Sequence, residues 1–370
     1  MERKESTLED MVVMVDCAFW RGKKVFLTGH TGFKGSWLSL WLNHLGAEVK
    51  GYALAPATTP SLFDVANVGD MIESEIGDIR NLDQLRNSMV SFGPDILIHM
   101  AAQPLVRLSY KEPVETYETN VMGTVKVLEA ARSCIKLKAI VSVTTDKCYE
   151  NKEWLWGYRE NEAMGGHDPY SSSKGCAELV TSAYRRSFMH EAGVGLASVR
   201  AGNVIGGGDW SGDRLIPDIL RAFKKGDSVV IRNPESTRPW QHVLEPLSGY
   251  LMLAQKLYEQ PNGYAEAWNF GPYDDDAKPV DWILEKMVKQ WGQGASWKLD
   301  EGNHPHEAGC LKLDISKAKS RLGWKPIWKL EETLERIVLW QQAWLSKEDM
   351  QRVCLNETQD YMRDINHENN

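Results

Sequence analysis

Residues 139–149 read Ala-Ile-Val-Ser-Val-Thr-Thr-Asp-Lys-Cys-Tyr, and the rest of the chain is arranged around this stretch. Its first half is a short apolar run with β-branched residues, which predicts a buried strand. Its second half is polar, so Thr145, Asp146 and Lys147 would leave the carboxyl edge of a parallel sheet. Open α/β sheets bind their ligands at that edge, and we therefore expect the functional site there.

A tyrosine and a lysine follow in the segment Tyr170-Ser-Ser-Ser-Lys174. Residues one helical turn apart share a face, so the phenol and the amine would meet the hydroxyl and the acid of the first stretch. Such a group indicates acid–base chemistry. A lysine ammonium about 4 Å from a phenolate supplies roughly the attraction that would bring the phenol pKa from about 10 to about 7. We therefore expect Lys174 to lower the pKa of Tyr170; the alternative is that both are ordinary surface residues.

Strands and helices alternate through the first half of the chain. The strand candidates are Lys24–Thr28, Glu48–Leu54, Ile72–Ile79, Asp95–Ala101, Ile140–Val143 and Val194–Ala201. The helix candidates are Ser36–Leu45, Leu82–Phe92, Pro113–Ala131 and a segment from Tyr170 to about His190. This succession predicts an α/β fold with a doubly wound, Rossmann-like parallel sheet.

After residue 200 the pattern becomes irregular, with helices predicted near 215–224, 244–258, 280–290 and 330–345. Short strands between them predict a smaller C-terminal α/β lobe that binds the substrate over the sheet edge. We expect the following division of the chain: an N-terminal extension at 1–20, a Rossmann domain at 21–203, a substrate-binding lobe at 204–350 and a polar, fraying tail at 351–370. Later segments can still add strands or helices to the core of the Rossmann domain.

The bulk composition excludes several classes of protein. At 370 residues, 42% of them hydrophobic, the chain can bury a substantial core. A formal net charge of −8 argues against a nucleic-acid or membrane-surface binder. No apolar run approaches the roughly 20 residues of a membrane span, and the charged start of the chain lacks the apolar region of a signal peptide. The six cysteines form no CxxC pair, which indicates free thiols in a reducing cytoplasm.

A glycine-rich segment joins the first predicted strand to the first predicted helix. It reads Thr-Gly-His-Thr-Gly-Phe-Lys-Gly over residues 28–35. The pyrophosphate of a dinucleotide needs a tight turn, a close backbone approach and the free N–H groups of a helix N-terminus. A glycine triplet alone is weak evidence, but this one lies between a strand and a helix, as the motif requires. We assign dinucleotide binding to Gly29, His30, Gly32, Phe33, Lys34 and Gly35.

The acidic residue that usually binds the adenosine ribose is missing. The second predicted strand ends in Tyr-Ala-Leu-Ala-Pro over residues 52–56, with no carboxylate for a 2′-hydroxyl and no arginine cluster for a 2′-phosphate. We expect loose cofactor binding for that reason. Asp78 and Ile79, after the third predicted strand, are positioned to contact the adenine edge. The alternative for Asp78 is an acid at a helix N-terminus.

These motifs together resemble the extended short-chain dehydrogenase/reductase superfamily over roughly residues 21–345. The resemblance rests on the glycine motif and on Asp78-Ile-Arg, Ala101-Ala-Gln, Asn120-x-x-Gly-Thr124, Tyr170-x-x-x-Lys174, Arg200-Ala-Gly-Asn203 and Leu313-Asp-Ile-Ser-Lys317 followed by Leu322-Gly-Trp-Lys-Pro326. Within the superfamily the chain is similar to nucleotide-sugar 4,6-dehydratases, in which an acid pair follows the strand-end threonine. It matches the pattern of the CDP-glucose 4,6-dehydratases in Asp146-Lys147, Gly29-His-Thr-Gly-Phe-Lys-Gly-Ser-Trp37 and Arg238-Pro-Trp-Gln-His242.

The resemblance implies an NAD-dependent intramolecular redox dehydration of CDP-glucose to CDP-4-keto-6-deoxyglucose. Tyr170, with Thr145 orienting the sugar, would remove the C4 hydroxyl proton as the C4 hydride leaves. C6 water would then be lost, with Asp146 as the acid, and the hydride would return to C6. Lys174 would also bind the nicotinamide ribose.

Lys147 replaces the glutamate base of most relatives, and an ammonium cannot accept a proton. We favour a neutral Lys147 as the base that removes the C5 proton, since burial and neighbouring cations can neutralise a lysine. Two alternatives are electrostatic stabilisation of the enolate and a salt bridge that only holds Asp146.

Other candidates flank the same sheet edge. The residues that would border the cofactor are Ala101, Ala102, Gln103 and Asn120, the last of which could instead anchor a loop. The residues that would contact sugar or diphosphate are Arg107, Asn203, Arg238 and His242, the last of which could instead be a satisfied core histidine. The insert Glu150–His167 would shape the sugar pocket or simply pack over it. His304-Pro-His306-Glu307 has no further ligands nearby, so we predict no metal site.

Two other functions stay open. One is enzymatic: a 4-epimerase, which has no use for Asp146-Lys147, or a 4,6-dehydratase for another nucleotide-hexose. The other is a non-catalytic dinucleotide sensor, which would not need Thr145, Tyr170 and Lys174. The resemblance also implies a cytoplasmic homodimer, with a tetramer left open, that pairs the helices beginning near 113 and 170. Its product would enter deoxysugar synthesis, typically for the O-antigen of lipopolysaccharide.

Overall fold

The computed structural model of the protein describes residues 15–292, 294–300 and 311–367. The described strands are β1 Lys24–Thr28, β2 Glu48–Ala53, β3 Glu73–Ile76, β4 Ile96–His99, β5 Ala139–Val143, β6 Gly195–Ala201, β7 Val204–Ile205, β8 Val229–Ile231, β9 Thr237–Pro239, β10 Gln241–His242, β11 Ala267–Phe270, β12 Ala277–Pro279 and β13 Trp297–Leu299. The described α-helices are α1 Cys17–Trp20, α2 Phe33–His44, α3 Leu62–Val65, α4 Leu82–Phe92, α5 Val106–Lys111, α6 Pro113–Tyr117, α7 Gly123–Ala131, α8 Pro169–Tyr184, α9 Leu215–Lys225, α10 Leu244–Glu259, α11 Pro261–Tyr264, α12 Val280–Trp291, α13 Leu330–Leu345 and α14 Met350–His367.

Seven parallel strands form the central sheet in the order β11-β6-β5-β4-β1-β2-β3. Helices α2, α10 and α14 pack on one face of the sheet, and α4, α7 and α8 pack on the other. The predicted α/β fold with a doubly wound, Rossmann-like sheet is therefore confirmed. The strand order reverses between β1 and β4, so the ligand crevice of such a sheet lies at their carboxyl ends.

The strands nearest this crevice are buried, as parallel strands covered on both faces should be. The third strand is shorter than the predicted Ile72–Ile79. It ends at Ile76, opposite Ala53, because its partner in the sheet, β2, ends at that residue. A Cβ at the next residue, Gly77, would lie only 2.3 Å from Cζ of Tyr52, so the chain packs closely on that ring.

The second half of the chain returns to the central sheet. Strand β11 pairs with β6, and α10 packs beneath β5 and β6. Residues 215–231, 280–291 and 330–338 form a separate apolar cluster, which is the core of the smaller α/β lobe. None of the helices in the described ranges is long and apolar enough to cross a bilayer.

The prediction of a fraying polar tail is wrong for residues 351–367. This segment lies within α14, whose Cys354, Thr358, Tyr361 and Ile365 are buried against α2, α10 and α13. We did not predict this helix because its apolar positions are few and widely spaced among charged residues. In the structure these positions fall on one face at helical spacing.

Candidate active site

The glycine loop after β1 has room only for glycine at two positions. Gly29 has φ +82°, and a Cβ there would lie 2.7 Å from the backbone nitrogen of Ala101. A Cβ on Gly35 would lie 2.0 Å from the carbonyl oxygen of Gly29. Gly32 precedes α2 and has no side chain to cap the first N–H groups of that helix. The loop is therefore a close-packed turn with exposed donors at a helix N-terminus, the arrangement that a pyrophosphate requires.

The side chain of His30 does not face this loop, which corrects the prediction that it contacts the cofactor. The ring is buried over Gly51, and its Nε2 lies 2.7 Å from Oγ of Ser74. Burial lowers its pKa to about 4, so the ring is neutral at pH 7. His30 thus ties the glycine loop to β2 and β3, and only its backbone remains available to a ligand.

Lys34 extends from the first turn of α2 into the crevice. Its Nζ donates to Oη of Tyr250 on α10 at 3.1 Å. Burial, then the positive charges of Lys174 and Arg214, lower its pKa to about 7, and Asp146 opposes them. Phe33 beside it packs toward Gly206. The structure therefore places Lys34 next to the predicted catalytic residues.

A buried hydrogen-bond chain connects the ends of β1 and β4. The Oγ1 atom of Thr28 lies 2.8 Å from Nδ1 of His99, and Nε2 of His99 lies 3.1 Å from Oγ1 of Thr124 on α7. Burial and the charge of Lys174 lower the pKa of His99 to about 3, so the ring is neutral. Thr28 Oγ1 also accepts from the backbone N–H groups of Met100 and Ala101, which fixes the turn below the glycine loop.

Asn120 and Gln103 hold the loop after β4 rather than lining the crevice. Asn120 Oδ1 accepts from the Gln103 N–H at 2.8 Å, and its Nδ2 donates to Gln103 O and to Ser173 Oγ. The Gln103 side chain is hydrogen-bonded to the backbone of Leu105 and to Oγ1 of Thr116. The prediction that these two side chains contact the cofactor is therefore corrected to loop anchoring. The predicted helix 113–131 contains a π-helical turn at Glu118–Met122, which carries Asn120.

Asp78 also has a protein partner. Arg80 donates to both of its carboxylate oxygens, and these hydrogen bonds hold the pKa of Asp78 below its usual value. The alternative that Asp78 caps a helix is excluded because Asn81 caps α4. Ile79 is buried against Gly123. An adenine edge would therefore meet the backbone of this segment.

The phenol and the strand-end hydroxyl meet as the sequence predicts. Thr145 and Tyr170 are both buried, and Thr145 lies close enough to Tyr170 to lower the pKa of the phenol. Burial outweighs this influence and raises the pKa of Tyr170 to about 12, with the negative charge of Asp146 acting in the same direction. The expectation that Lys174 lowers this pKa is therefore wrong for the protein by itself, because desolvation of the phenolate dominates.

Lys174 is buried one turn further along α8. Its Nζ donates to the carbonyl oxygen of Val143 at the end of β5, at 3.3 Å. Burial lowers its pKa to about 8, and the carboxylate of Glu178 opposes that shift. The ammonium form therefore prevails at pH 7, and it is lost as the pH rises through this value.

Asp146 and Lys147 differ in environment although they are neighbours. Asp146 is buried, and burial raises its pKa, with the charge of Lys147 as the largest opposing influence. Thr145 Oγ1 donates to Asp146 Oδ1 at 2.9 Å, which orients the acid. Lys147 is half-buried. A carboxyl that keeps its proton to higher pH than an ordinary aspartate suits the predicted acid role.

The predicted substrate contacts separate into two groups. Arg238 lies close enough to Asp146 for its charge to oppose the raised pKa of that acid. Asn203 is half-buried just after the end of β6. Arg107 on α5 forms an ion pair with Asp213, at 2.7 Å, across the crevice. His242 is fully buried between Trp37 and Trp328, with Nε2 3.1 Å from Glu357 of α14. The prediction that His242 contacts substrate is therefore corrected, and the core alternative holds.

Arg214 is a site residue that the sequence reasoning missed. Its charge lowers the pKa values of both Tyr170 and Lys34, and its Nη1 pairs with Asp209 at 3.0 Å. A single arginine at a helix start carries no recognisable pattern, because only the folded chain brings it beside α8. The segment His304-Pro-His306-Glu307, for which we predict no metal site, lies outside the described residues. Among the residues that the structure describes, no cluster of metal-ligand side chains occurs.

Comparisons with known proteins show what the chain is similar to. The family described as GDP-mannose 4,6 dehydratase matches residues 26–337. The CDP-glucose 4,6-dehydratase of Salmonella typhimurium is 63% identical over 354 residues, which cover 94% of this chain and 99% of the relative. The dTDP-glucose 4,6-dehydratase of the same organism is 24% identical, over 86% of this chain and 93% of the relative. A solved structure of dTDP-glucose 4,6-dehydratase from Bacillus anthracis in complex with NAD has a TM-score of 0.71 and 21% identity, over 87% of this chain and 97% of the other.

Proposed function

The chain belongs to the GDP-mannose 4,6-dehydratase family, and from that premise we propose that it is a hydro-lyase that converts CDP-glucose into CDP-4-keto-6-deoxyglucose. The observation that carries this proposal is the 63% identity, over nearly the whole length of both chains, to a CDP-glucose 4,6-dehydratase. Identity to a dTDP-glucose enzyme of the same reaction type is only 24%, which favours the cytidine nucleotide.

The cofactor of the proposed reaction is NAD, which accepts the C4 hydride and later supplies it to C6. Gly29, Gly32 and Gly35 would hold the pyrophosphate, because the loop admits no side chain at Gly29 and Gly35 and Gly32 leads into a helix N-terminus. The backbone at 78–79 would meet the adenine edge. Lys174 would donate to the nicotinamide ribose.

Tyr170 takes the C4 hydroxyl proton in the first step. Its pKa of about 12 in the protein alone means that cations must stabilise the phenolate when the ligands are bound. Arg214 already supplies one such charge, and Lys174, one turn further along α8, would supply a second. Thr145 would orient the sugar hydroxyl toward Tyr170.

Asp146 and Lys147 carry out the elimination. Oxidation at C4 makes the C5 proton acidic, and a neutral Lys147 takes that proton. Asp146 gives its own proton to the C6 hydroxyl, which leaves as water. The raised pKa of Asp146 supports this assignment, since the acid form must persist near neutral pH. Arg107, Asn203 and Arg238 would bind sugar and diphosphate oxygens.

Purified protein incubated with NAD⁺ and CDP-, dTDP-, GDP- or UDP-glucose tests the proposal. We expect an alkali-induced absorbance of a 4-keto product, with CDP-glucose turned over fastest. CDP-glucose deuterated at C4 should yield product with deuterium at C6. A C4 epimer would instead identify an epimerase, and cofactor binding without turnover of any hexose would identify a sensor.

A homodimer is the proposed assembly, with a tetramer left open. Apolar side chains remain exposed along two neighbouring helices, with Val114 and Tyr117 on α6 and Leu179 on α8. A second copy of the chain would cover these side chains by pairing α6 and α7 with α8 across a two-fold axis. Leu128 of α7 is fully buried in the core and would not take part in this interface.

The product would be a precursor for deoxysugars. A 4-keto-6-deoxy nucleotide sugar needs further reduction, amination or deoxygenation, and its proposed destination is the O-antigen of lipopolysaccharide. The proposed compartment is the cytoplasm. Labelled CDP-glucose fed to a cell lysate with and without the protein would show whether downstream deoxysugars depend on it.

A further inference from the structure

Glu178 lies one helical turn beyond Lys174 on α8, and its buried carboxylate is fully engaged. Its Oε1 accepts from Arg200 Nε at 2.9 Å and from Thr144 Oγ1 at 2.5 Å. Its Oε2 accepts from Arg200 Nη2 at 2.8 Å and from Ser198 Oγ at 2.7 Å. Two strands and one helix are therefore joined through a single carboxylate, directly behind the lysine that the reaction requires.

Arg200 continues the network away from α8. Its Nη1 donates to Oη of Tyr149 at 2.6 Å and to the carbonyl oxygen of Glu160 at 3.0 Å. Tyr149 Oη in turn donates to Oδ1 of Asn269 on β11 at 2.8 Å, and Asn269 Nδ2 donates to Tyr158 O at 2.8 Å. An unbroken chain of hydrogen bonds thus runs from α8 into the insert at 150–167.

The insert also returns to both catalytic segments. The Gly165 N–H donates to Cys148 O at 2.9 Å, next to the loop that carries Asp146 and Lys147. A Cβ on Gly175 of α8 would lie 3.0 Å from Gly165 O, so insert and helix are in close contact. The insert is therefore packed between the loop of 145–148 and the helix of Tyr170 and Lys174.

Stability alone is a weak reason to bury such a pair. Removing two charges from water is costly, and apolar replacements of buried ion pairs are often as stable or more stable. The Glu178–Arg200 pair is nevertheless almost wholly buried on the helix face that carries Lys174. We propose that Glu178 and Arg200 are positioning residues for the dehydration, which fix Lys174 and Tyr170 relative to Thr145 and Asp146 by locking α8 to β5, β6 and the insert.

The pair also bears on the charge of Lys174, and this inference rests on the proposed function. Lys174 interacts electrostatically with titratable groups from four parts of the fold. These groups are Lys34 of α2, His99 at the end of β4, Cys148 after β5 and Glu178 of α8. Glu178 is the one that favours the ammonium most. Loss of its charge with Arg200 left in place would make Lys174 release its proton at lower pH.

The first test is Glu178→Gln in the full-length protein with NAD⁺ and CDP-glucose. Activity should fall on the alkaline side as Lys174 loses its proton, and in the variant this fall should move to lower pH by about one unit. The pH dependence of NAD⁺ affinity, followed by tryptophan fluorescence, should move in the same direction. A folded variant with the wild-type pH profile in both measurements would overturn the electrostatic part of the proposal.

The second test is the double variant Glu178→Gln with Arg200→Gln. Because it leaves no unpaired buried charge, it can still test the proposal if the single variant fails to fold. The alkaline limb should return toward its wild-type position, because the net charge beside Lys174 is again zero. Turnover should still fall by about tenfold or more, since the lock on α8 is weakened. Wild-type turnover in a folded double variant would overturn the positioning role.

Glu245→Gln is the matched control. Glu245 of α10 is equally buried and accepts from the backbone N–H groups of Ile327 and Trp328, but it does not act on the charge of Lys174. We expect a loss of stability with no shift of the alkaline limb.

If the wild-type protein turns over no nucleotide-hexose, the proposed function fails. The pH dependence of NAD⁺ affinity still decides the role of Glu178 in that case.

Discussion

Asp146 and Lys147 are adjacent in sequence but have different access to water, and this difference separates their chemistry. Burial of Asp146 raises its pKa, whereas Lys147 is only half-buried. In the proposed reaction the pair would offer a proton to the leaving hydroxyl and an acceptor for the C5 proton at the same sheet edge. Both roles can be tested with single substitutions.

Replacing Lys147 should separate the two halves of the reaction. We expect Lys147→Ala to lower the rate of dehydration by about 100-fold or more, because the C5 base is lost. Hydride removal at C4 should stay detectable as NADH absorbance. Lys152→Ala, which removes an exposed lysine of the insert, is the control and should keep wild-type rates. Dehydration at the wild-type rate in Lys147→Ala would rule out both catalytic roles for this lysine.

The acid role of Asp146 predicts a characteristic pH dependence. Because burial raises its pKa, the protonated form persists above the usual range of an aspartate, and elimination should slow as the pH rises through that raised pKa. Asp146→Asn keeps the shape but cannot give a proton, so turnover should fall by about 100-fold or more. The measurement is the initial rate of 4-keto product formation, with Asp218→Asn on α9 as the control. Unchanged rates in Asp146→Asn would assign the proton to another group.

At the scale of elements, α14 supports the helix that begins at the cofactor loop. Tyr361 of α14 packs edge-to-face on Trp41 of α2, with ring centroids 5.7 Å apart, and donates to Glu245 of α10 at 2.7 Å. His242, at the end of the short strand β10, meets Glu357 of the same helix. The C-terminal helix therefore joins the cofactor side of the sheet to the second lobe.

Truncating Tyr361 should therefore destabilise the whole protein. Tyr361→Ala removes a fully buried ring and leaves Glu245 without one of its donors, so we expect the free energy of unfolding to fall by about 3–5 kcal/mol. Urea unfolding followed by tryptophan fluorescence measures this change. Leu339→Ala, at an exposed position of α13, should change stability by less than about 0.5 kcal/mol. Equal effects of the two substitutions would show that α14 is not part of the core.

At the scale of the whole molecule, the two halves of the chain share one apolar core. The main cluster combines β1, β4, β5 and α2 from the first half with α10, β11, α13 and α14 from the second. Elements of both halves of the chain that contribute to this core therefore also surround the crevice at the sheet edge. The outer faces of α6 and α8 stay apolar and exposed, which is where a second copy would bind.

Introducing charge on that exposed face should dissociate the proposed dimer. We expect Leu179→Glu together with Val114→Glu to give a monomer in analytical ultracentrifugation, because each carboxylate would lose water at a two-fold interface. Val230→Glu, at an exposed position of β8 in the second lobe, should leave the assembly unchanged. A dimer that survives the double substitution would place the interface elsewhere.

Local patterns in the sequence were sufficient for most of the central strands, for the glycine loop and for the placement of Tyr170 and Lys174 on one helix, because each depends on residues close together in the chain. Strand burial follows from runs of apolar residues, and the loop follows from glycines that no larger residue can replace. Thr145 and Tyr170 meet because both positions are fixed by one strand end and one helix face.

Tertiary structure decided which polar side chains face the crevice and how they titrate. His30, Gln103, Asn120 and His242 have the right residue types, but the fold pairs each with a side chain from another part of the chain, and the sequence carries no sign of that pairing. The raised pKa of Tyr170 likewise depends on desolvation by elements from both halves of the chain. Local composition therefore determined the scaffold, whereas burial, which only the packed molecule defines, determined the chemistry of its site.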